Sequence, residues 1–354
     1  MKSLGNFPDP FIAEIAGQPD ALRRAAAGLL EQASALQQVA ERAQGRTLVF
    51  TGMGSSHFAC YPAVTELAAS GIAAVMIDAA ELLHFRTGIL GARTMLVAVS
   101  QSGESAEIVR LLSDPPDPRS TVVAVTNGSQ STLAGLADVA LDTFTGEETG
   151  PSTMTFAGSL LVLGSLARVL AGEPVAHVVS RSVENAELAA SAIERLVGDS
   201  ALPDALVAWL GNRTTAVILG RGPARAATEM GALTLKEAVG IPVESLQTAQ
   251  FRHGPMELAG PDLAAMIIAT ETETSSLDLS LAEELRTAGA AVFLVTHDSH
   301  GPAEATSVEI GPLDRTIAPA VSILPTQLLA WRLAGIRGRE PGSYYRASKV
   351  TTRE

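Results

Sequence analysis

Glu237 and His253 stand sixteen residues apart and are of the types that shuttle protons. A carboxylate can act as a general base on carbon, and an imidazole can act as the acid or as the group that opens a sugar ring. Gly254-Pro255 follows the histidine and fixes a turn that would hold the imidazole in place. Taken singly, each residue also has a structural meaning, Glu237 as a solvated residue at a helix end and His253 as a packing residue. Glu229 lies two turns earlier on the same helix and is the rival carboxylate, expected to face the interior or an interface. The other histidines, at 57, 84, 177, 297 and 300, show no metal-ligand spacing. His297-Asp298-Ser299-His300 reads as a surface loop after a strand, so no metal is expected. Cys60, beside Ala59 and Ala63, reads as a small buried helix residue, not a reactive thiol. No Gly-x-Ser-x-Gly elbow marks a serine hydrolase.

Two turns carry hydroxyls and glycines in a pattern suited to phosphate: Gly54-Ser55-Ser56 and Ser100-Gln101-Ser102-Gly103-Glu104-Ser105. Each follows an apolar run and opens a helix. Ligands of an open parallel sheet bind beyond the carboxyl ends of its strands, and the unpaired N–H groups and dipole of a helix start favour an anion. Pro151-Ser152-Thr153 is a third polar turn, and Ser152 and Thr153 could complete the cradle. The same serines would also serve as simple helix caps. The first glycine turn lacks the third glycine of a dinucleotide fingerprint, and Asp78 is the one candidate for a ribose partner, which leaves a Rossmann dehydrogenase as the weaker alternative. No cofactor is expected.

The elements that must carry these residues alternate in a βα rhythm. Apolar runs at 47–50, 73–77, 95–100 and 122–126 predict four strands, with Asn127-Gly128 as a turn. A charged, alanine-rich helical stretch over 173–203 joins this half to a second one, with strands predicted at 216–219, 241–245, 264–269 and 291–296 and a helix from about 224 to 237. Gly52-x-Gly54 and Gly220-x-Gly222 fall at equivalent places, a weak internal repeat. The expected organisation is an α/β protein with two tandem doubly wound parallel sheets: a helical segment over 1–45, a first domain over 46–172, the connecting helix over 173–203, a second domain over 204–337 and a polar tail over 338–354. At 354 residues, 47% hydrophobic, each half can bury a core. The net charge of −13 argues against a nucleic-acid partner, which needs a basic face, though not against phosphate held by backbone N–H groups. No apolar run approaches the roughly 18 residues of a membrane span. The first residues lack a signal-peptide core and the single cysteine suits a reducing compartment, so a cytoplasmic location is expected.

Together these motifs resemble the sugar isomerase (SIS) domain family, in particular the isomerase half of glutamine–fructose-6-phosphate aminotransferase and its stand-alone relatives. The likeness runs from about residue 46 to the tail. Ser100–Ser105 is similar to the family's SQSGE-type phosphate loop, Gly54-Ser55-Ser56 to its first serine turn, and Ser152-Thr153 to a Ser-Thr near the substrate. Gly231–Glu237 is similar to the helix motif that ends in the catalytic glutamate. His253-Gly254-Pro255 matches the turn whose histidine assists ring opening, and Lys349-Val350-Thr351 the carboxyl-terminal lysine motif. The resemblance implies a flavodoxin-like double SIS fold and a homodimer with a shared active site, the histidine reaching across the interface. It implies a 6-phosphosugar substrate with phosphate on Ser55, Ser56, Ser100, Gln101, Ser102 and Ser105, proton transfer by Glu237, and Lys349 near the open-chain carbonyl, as an imine-forming amine.

Departures from the pattern narrow the chemistry. No glutaminase segment or amino-terminal cysteine is present in this sequence, so ammonia release from glutamine is not expected of it. Thr234 and Met154 stand where the aminotransferases carry lysines, which argues against amino-sugar synthesis. Glu257, two residues after Pro255, resembles the HGPxE arrangement of ketosamine-phosphate deglycases. The expected activity is a deaminase or deglycase acting on an amino-sugar or ketosamine 6-phosphate. A plain aldose–ketose phosphate isomerase and a non-catalytic sugar-phosphate sensor are the alternatives.

Overall fold

The computed structural model describes residues 9–298 and 306–353. The chain divides into two compact units. The first comprises residues 18–148, 152–187 and 346–353, and the second residues 9–17, 149–151, 188–298 and 306–345.

In chain order, α1 (Pro10–Glu31) and α2 (Ala33–Ala43) precede β1 (Thr47–Gly52), α3 (Ser55–Phe58), α4 (Cys60–Ala69), β2 (Ala74–Asp78), α5 (Ala79–Phe85), β3 (Thr94–Val99), α6 (Ala106–Ser113), β4 (Thr121–Thr126), α7 (Thr132–Leu136), β5 (Val139–Asp142) and α8 (Met154–Leu170). Then come α9 (Val175–Gly198), α10 (Leu202–Leu210), β6 (Thr215–Gly220), α11 (Arg225–Val239), β7 (Glu244–Gln247), α12 (Thr248–Phe251), β8 (Leu263–Ala269), α13 (Ser275–Thr287), β9 (Ala291–Thr296), β10 (Thr306–Glu309), α14 (Ala318–Ser322) and α15 (Leu324–Ile336).

Each unit holds one five-stranded sheet with every pairing parallel, ordered β2-β1-β3-β4-β5 in the first and β10-β9-β8-β6-β7 in the second. Counted from the first strand of each sheet, the two orders are the same, and the internal repeat of the sequence is a repeat of topology. The fold is two tandem α/β domains. Strand direction reverses its progress between β1 and β3 and between β6 and β8, the switch points where such sheets bind ligands.

Packing explains which strands form. Every residue of β3 and β8 is buried, as expected of central strands covered by helices on both faces. The second sheet's odd positions Val217, Leu219, Ala265 and Ile267 pack with Phe251, Met256 and α13. Its even positions face α11, since a side chain at Gly231 would meet Ile218. In the first unit, α8 is buried almost all round, its apolar character continuous rather than striped. Cys60 is fully buried, its thiol donating to the Ser56 carbonyl at 3.4 Å, and burial pushes that thiol far above its usual range. Asp78 is no ribose partner: it caps α5, accepting from the Glu81 amide at 2.9 Å.

The seventh strand lies at 244–247, later than the expected 241–245. Gly240 ends α11 in the left-handed region (φ 72°), its amide bonded to Leu235 and Lys236, and Ile241, Pro242 and Val243 form the incoming loop. The short strands β5 and β10 add an edge to each sheet.

Candidate active site

The first switch point carries the cradle. Gly52 ends β1 where an added Cβ would lie 2.9 Å from the Val99 carbonyl, and Gly54 adopts φ 52°, so the chain turns tightly into α3. Ser55 and Ser152 meet there, their hydroxyl oxygens 3.1 Å apart. Ser56 is buried on α3. At the end of β3 the second turn is built by its own side chains. Ser100, 2% exposed, accepts from the Gly103 amide at 3.1 Å and shares a proton with the Ser105 hydroxyl at 3.0 Å. Ser102 accepts from the Glu104 amide at 3.1 Å. The Gln101 carbonyl receives the Asn127 amide at 3.1 Å, tying the turn to β4. Gly103 sits at φ 68°, where a side chain would strike Ser131. Glu104 turns away to cap α7, accepting from the amide and hydroxyl of Thr132 at 2.7 Å each, bonds that hold its carboxyl below the usual range. Ser55, Ser56, Ser100, Gln101, Ser102, Ser105 and Ser152 therefore all belong to turns at the carboxyl ends of β1 and β3 or meet them.

Beside this cradle is a residue that the sequence did not single out. Glu148, its side chain 0% exposed, accepts from the amide and hydroxyl of Thr153 (2.8 and 3.1 Å) and of Thr155 (3.1 and 2.5 Å). Its Oε2 also receives the Lys349 ammonium at 2.9 Å. The only local signal was an acid just ahead of a helix start, where the dipole favours it. The tail makes a second bond nearby: the first amide of α6, Ala106, donates to the Thr351 carbonyl at 3.1 Å. Thr153 is thus committed to Glu148 and reads as a builder of the turn, while Lys349 is placed in the same unit as the cradle.

Glu237 and His253 lie in the second unit. Glu237 is half-buried in the last turn of α11. That end of the helix is at the amino ends of β6 and β7, beside an open groove of ≈ 430 Å³ lined by Thr214, Thr215, Lys236, Pro242 and Glu244. Glu229 is occupied, receiving Arg225 at 2.8 Å and the Ser245 hydroxyl at 3.1 Å. His253 is exposed on the crossover between β7 and β8, followed by Gly254 at φ 120° and the exposed Glu257 and Leu258. This crossover covers the odd face of the sheet and α11 covers the even face. Glu237 and His253 of one chain are therefore carried on opposite sides of a sheet.

Thr234 is fully buried and back-bonds to the Met230 carbonyl at 2.9 Å, and Met154 is buried at the start of α8. His297 bonds the Gly311 carbonyl through Nδ1 at 2.9 Å, while Ser299 and His300 lie outside the described residues.

The switch point of the second sheet is filled differently. Gly222 repeats the positive φ of Gly54, at 56°. Where the first unit has hydroxyls, this one has ion pairs. Arg221 meets the fully buried Asp278 at 2.8 Å, and Arg315 pairs with Glu273 and lies 4.0 Å from Glu271. Burial, countered in part by Arg315, pushes the Glu271 carboxyl up to about 7. The second switch point is thus lined by ion-paired side chains where the first is lined by hydroxyls.

Comparison with known proteins agrees with this duplication. The SIS domain family model matches residues 43–168 and 210–337. Over its whole length the chain is 27% identical to a glutamine–fructose-6-phosphate aminotransferase (isomerizing) of Pyrobaculum aerophilum, and it spans 59% of that protein's length. The C-terminal domain of glucosamine-fructose-6-phosphate aminotransferase from Francisella tularensis has the same fold, with a TM-score of 0.81 at 21% identity over 95% of this chain and 98% of that one. So does glucosamine-6-phosphate deaminase from Thermotoga maritima, with a TM-score of 0.74 at 20% identity over 96% of this chain and 99% of that one.

Proposed function

The chain belongs to the SIS-domain family, and from that premise we propose that it is an enzyme that releases an amine or ammonia from an amino-sugar or ketosamine 6-phosphate by enediol or enamine proton transfer. The observation that carries this reading is the contrast between the two switch points, one lined with hydroxyls and turn amides beside a tail lysine, the other closed by ion pairs. The hydroxyls and amides of the first suit a phosphate without a fixed cation. The relatives named above act, by their names, on fructose or glucosamine 6-phosphates, which supports the same substrate class.

In this reading the cradle fixes the phosphate end and leaves C1 and C2 toward the catalytic groups. Glu237 takes the proton from one carbon and returns it to its neighbour, which leaves an imine; water adds at the imine carbon, the C–N bond breaks and the amine departs with the proton that water gives up. His253 protonates the ring oxygen as the sugar opens. Lys349 places its Nζ near the carbonyl, where as an ammonium it stabilises developing negative charge, or where after losing a proton its amine forms an imine. Opposite placement of Glu237 and His253 on one sheet is best met by a homodimer in which His253 comes from the second copy. Release is favoured over synthesis because Thr234 and Met154 supply no charge where the aminotransferases have lysines. Assay of glucosamine 6-phosphate and a fructosamine 6-phosphate for liberated nitrogen tests the proposal. Ketose formation with nitrogen retained would make the protein an isomerase, and binding without turnover a sensor.

A further inference from the structure

We propose that Glu148 is a positioning residue that clasps the carboxyl-terminal tail onto the phosphate cradle, orienting Lys349 and the Ser152-Thr153 turn through one carboxylate. This deepens the function proposed above and rests on it for the role of Lys349. A carboxylate can accept about four hydrogen bonds, and Glu148 is fully engaged, with five donors converging on its two oxygens. Four come from Thr153 and Thr155 at the start of α8, an arrangement that alone would be a helix cap. The fifth is different in kind. Lys349 is 201 positions away in sequence and reaches the carboxylate's Oε2 with its ammonium. The Glu148 side chain is 0% exposed and that of Lys349 19% exposed, so the pair is largely shielded from water and salt.

The tail's second anchor has the same consequence. The Thr351 carbonyl accepts from Ala106, the first residue of α6, directly after the Ser100–Ser105 turn. Lys349 and Thr351 thus tie one tail segment to both ends of the cradle, at α8 and at α6. Ser152, one residue before Thr153, meets Ser55 at 3.1 Å, so the carboxylate that seats the lysine also seats a cradle hydroxyl. A long lysine at a chain end has many rotamers to lose. Fixing its head group in advance is what would let it act at a defined atom of the sugar.

The test uses Glu148→Gln, whose amide oxygen still serves the Thr153 and Thr155 amides while its NH2 faces the lysine, with Lys349→Met as the partner variant. Amide hydrogen exchange on the protein without substrate should show Ala106, whose amide donates to the Thr351 carbonyl, exchanging at least tenfold faster in either variant. With the best-turned-over phosphosugar, Glu148→Gln should lose tenfold or more in kcat/KM, mainly in kcat. The double variant should match Lys349→Met within threefold, because the carboxylate acts through the lysine. A wild-type exchange rate at Ala106 in Glu148→Gln overturns the clasp, and so do losses that multiply in the double variant. If the wild type turns over no phosphosugar, the proposed function fails, and the exchange result alone decides the clasp.

Discussion

Replacing Ser100 with alanine should weaken phosphate binding and loosen the turn that makes it, and the structure separates the two effects. The Ser100 hydroxyl is 2% exposed, accepts from the Gly103 amide and is paired with Ser105. Deleting it leaves the Gly103 amide with the Ser100 carbonyl as its acceptor, at 3.2 Å, and costs an ordinary hydrogen bond, about 0.5–1.5 kcal/mol. In a domain of this size about 1 kcal/mol lowers the melting temperature by roughly 2–4 °C, so a fall of roughly 1–6 °C is expected. It also frees the Ser105 hydroxyl to rotate away from the ligand. A hydrogen bond to a charged group contributes about 1.5–3 kcal/mol, which converts to roughly 10- to 150-fold in affinity. Ser102→Ala should cost less stability, because its oxygen serves only the exposed Glu104 amide. Calorimetric titration with glucosamine 6-phosphate and with glucosamine reads the affinity, and thermal melting reads the turn. The wild type should bind the phosphate ester alone. Equal binding of the two sugars, or unchanged affinity in a Ser100→Ala protein that melts several degrees lower, would refute the assignment of the phosphate to this turn.

Three further outcomes are expected. Glu237→Gln should lower kcat by about 10²-fold or more with phosphosugar affinity little changed, whereas Glu229→Gln, whose carboxylate is spent on Arg225 and Ser245, should affect turnover far less; near-normal turnover of Glu237→Gln would place the base elsewhere. Light scattering at assay concentration should give twice the chain mass of 36.6 kDa, and a fully active single chain would contradict a shared site. Glu271, lifted by burial from 4.5 to about 7, keeps its proton in the folded state over a pH range where the unfolded chain has lost it. Stability should therefore fall by about 3 kcal/mol as pH rises through that range. Denaturant unfolding of Glu271→Gln should show a much flatter dependence, and parallel curves for variant and wild type would refute it.

Strands buried on both faces were displayed as unbroken apolar runs, and 94–99 and 263–269 lie within a residue or two of expectation; the half-exposed edge strand Ala74–Asp78 was displayed too, because its residues are apolar all the same. The strands Val139–Asp142 and Thr306–Glu309 left no such trace. They are four residues long at sheet edges, and the second is exposed or half-exposed throughout. The displaced seventh strand has a similar cause. Ile241 and Val243 are apolar and buried, but they serve the loop that leaves a glycine-capped helix. Hydroxyl turns were legible because serines, glycines and a helix start are consecutive in sequence. Glu148 was not, because its meaning depends on a lysine 201 positions away. Nothing in the acidic run around 147–148 distinguishes a buried acceptor of five hydrogen bonds from a solvated charge.

The two halves show how a duplicated sheet divides its work. Both retain a first glycine where a side chain would crowd a neighbouring chain segment, Gly52 and Gly220, and a second at positive φ, Gly54 and Gly222. The backbone device that opens a switch point is therefore present twice. What lies beyond it decides its use. Ser100-Gln101-Ser102 after β3 offers neutral donors to an anion, while Thr270-Glu271-Thr272-Glu273 after β8 brings two carboxylates to the equivalent position, where Arg315 pairs with Glu273 and approaches Glu271. An arginine already held by carboxylates is a poor phosphate ligand, since binding would have to break an ion pair in a partly buried setting. With its switch point closed, the second sheet is free to present residues elsewhere: Glu237 on one face, at the amino ends of β6 and β7, and His253 on the other. Since Glu237 and His253 stand on opposite faces of one sheet, the proposed function calls for a second copy of the chain to supply His253, and the light-scattering measurement decides that point.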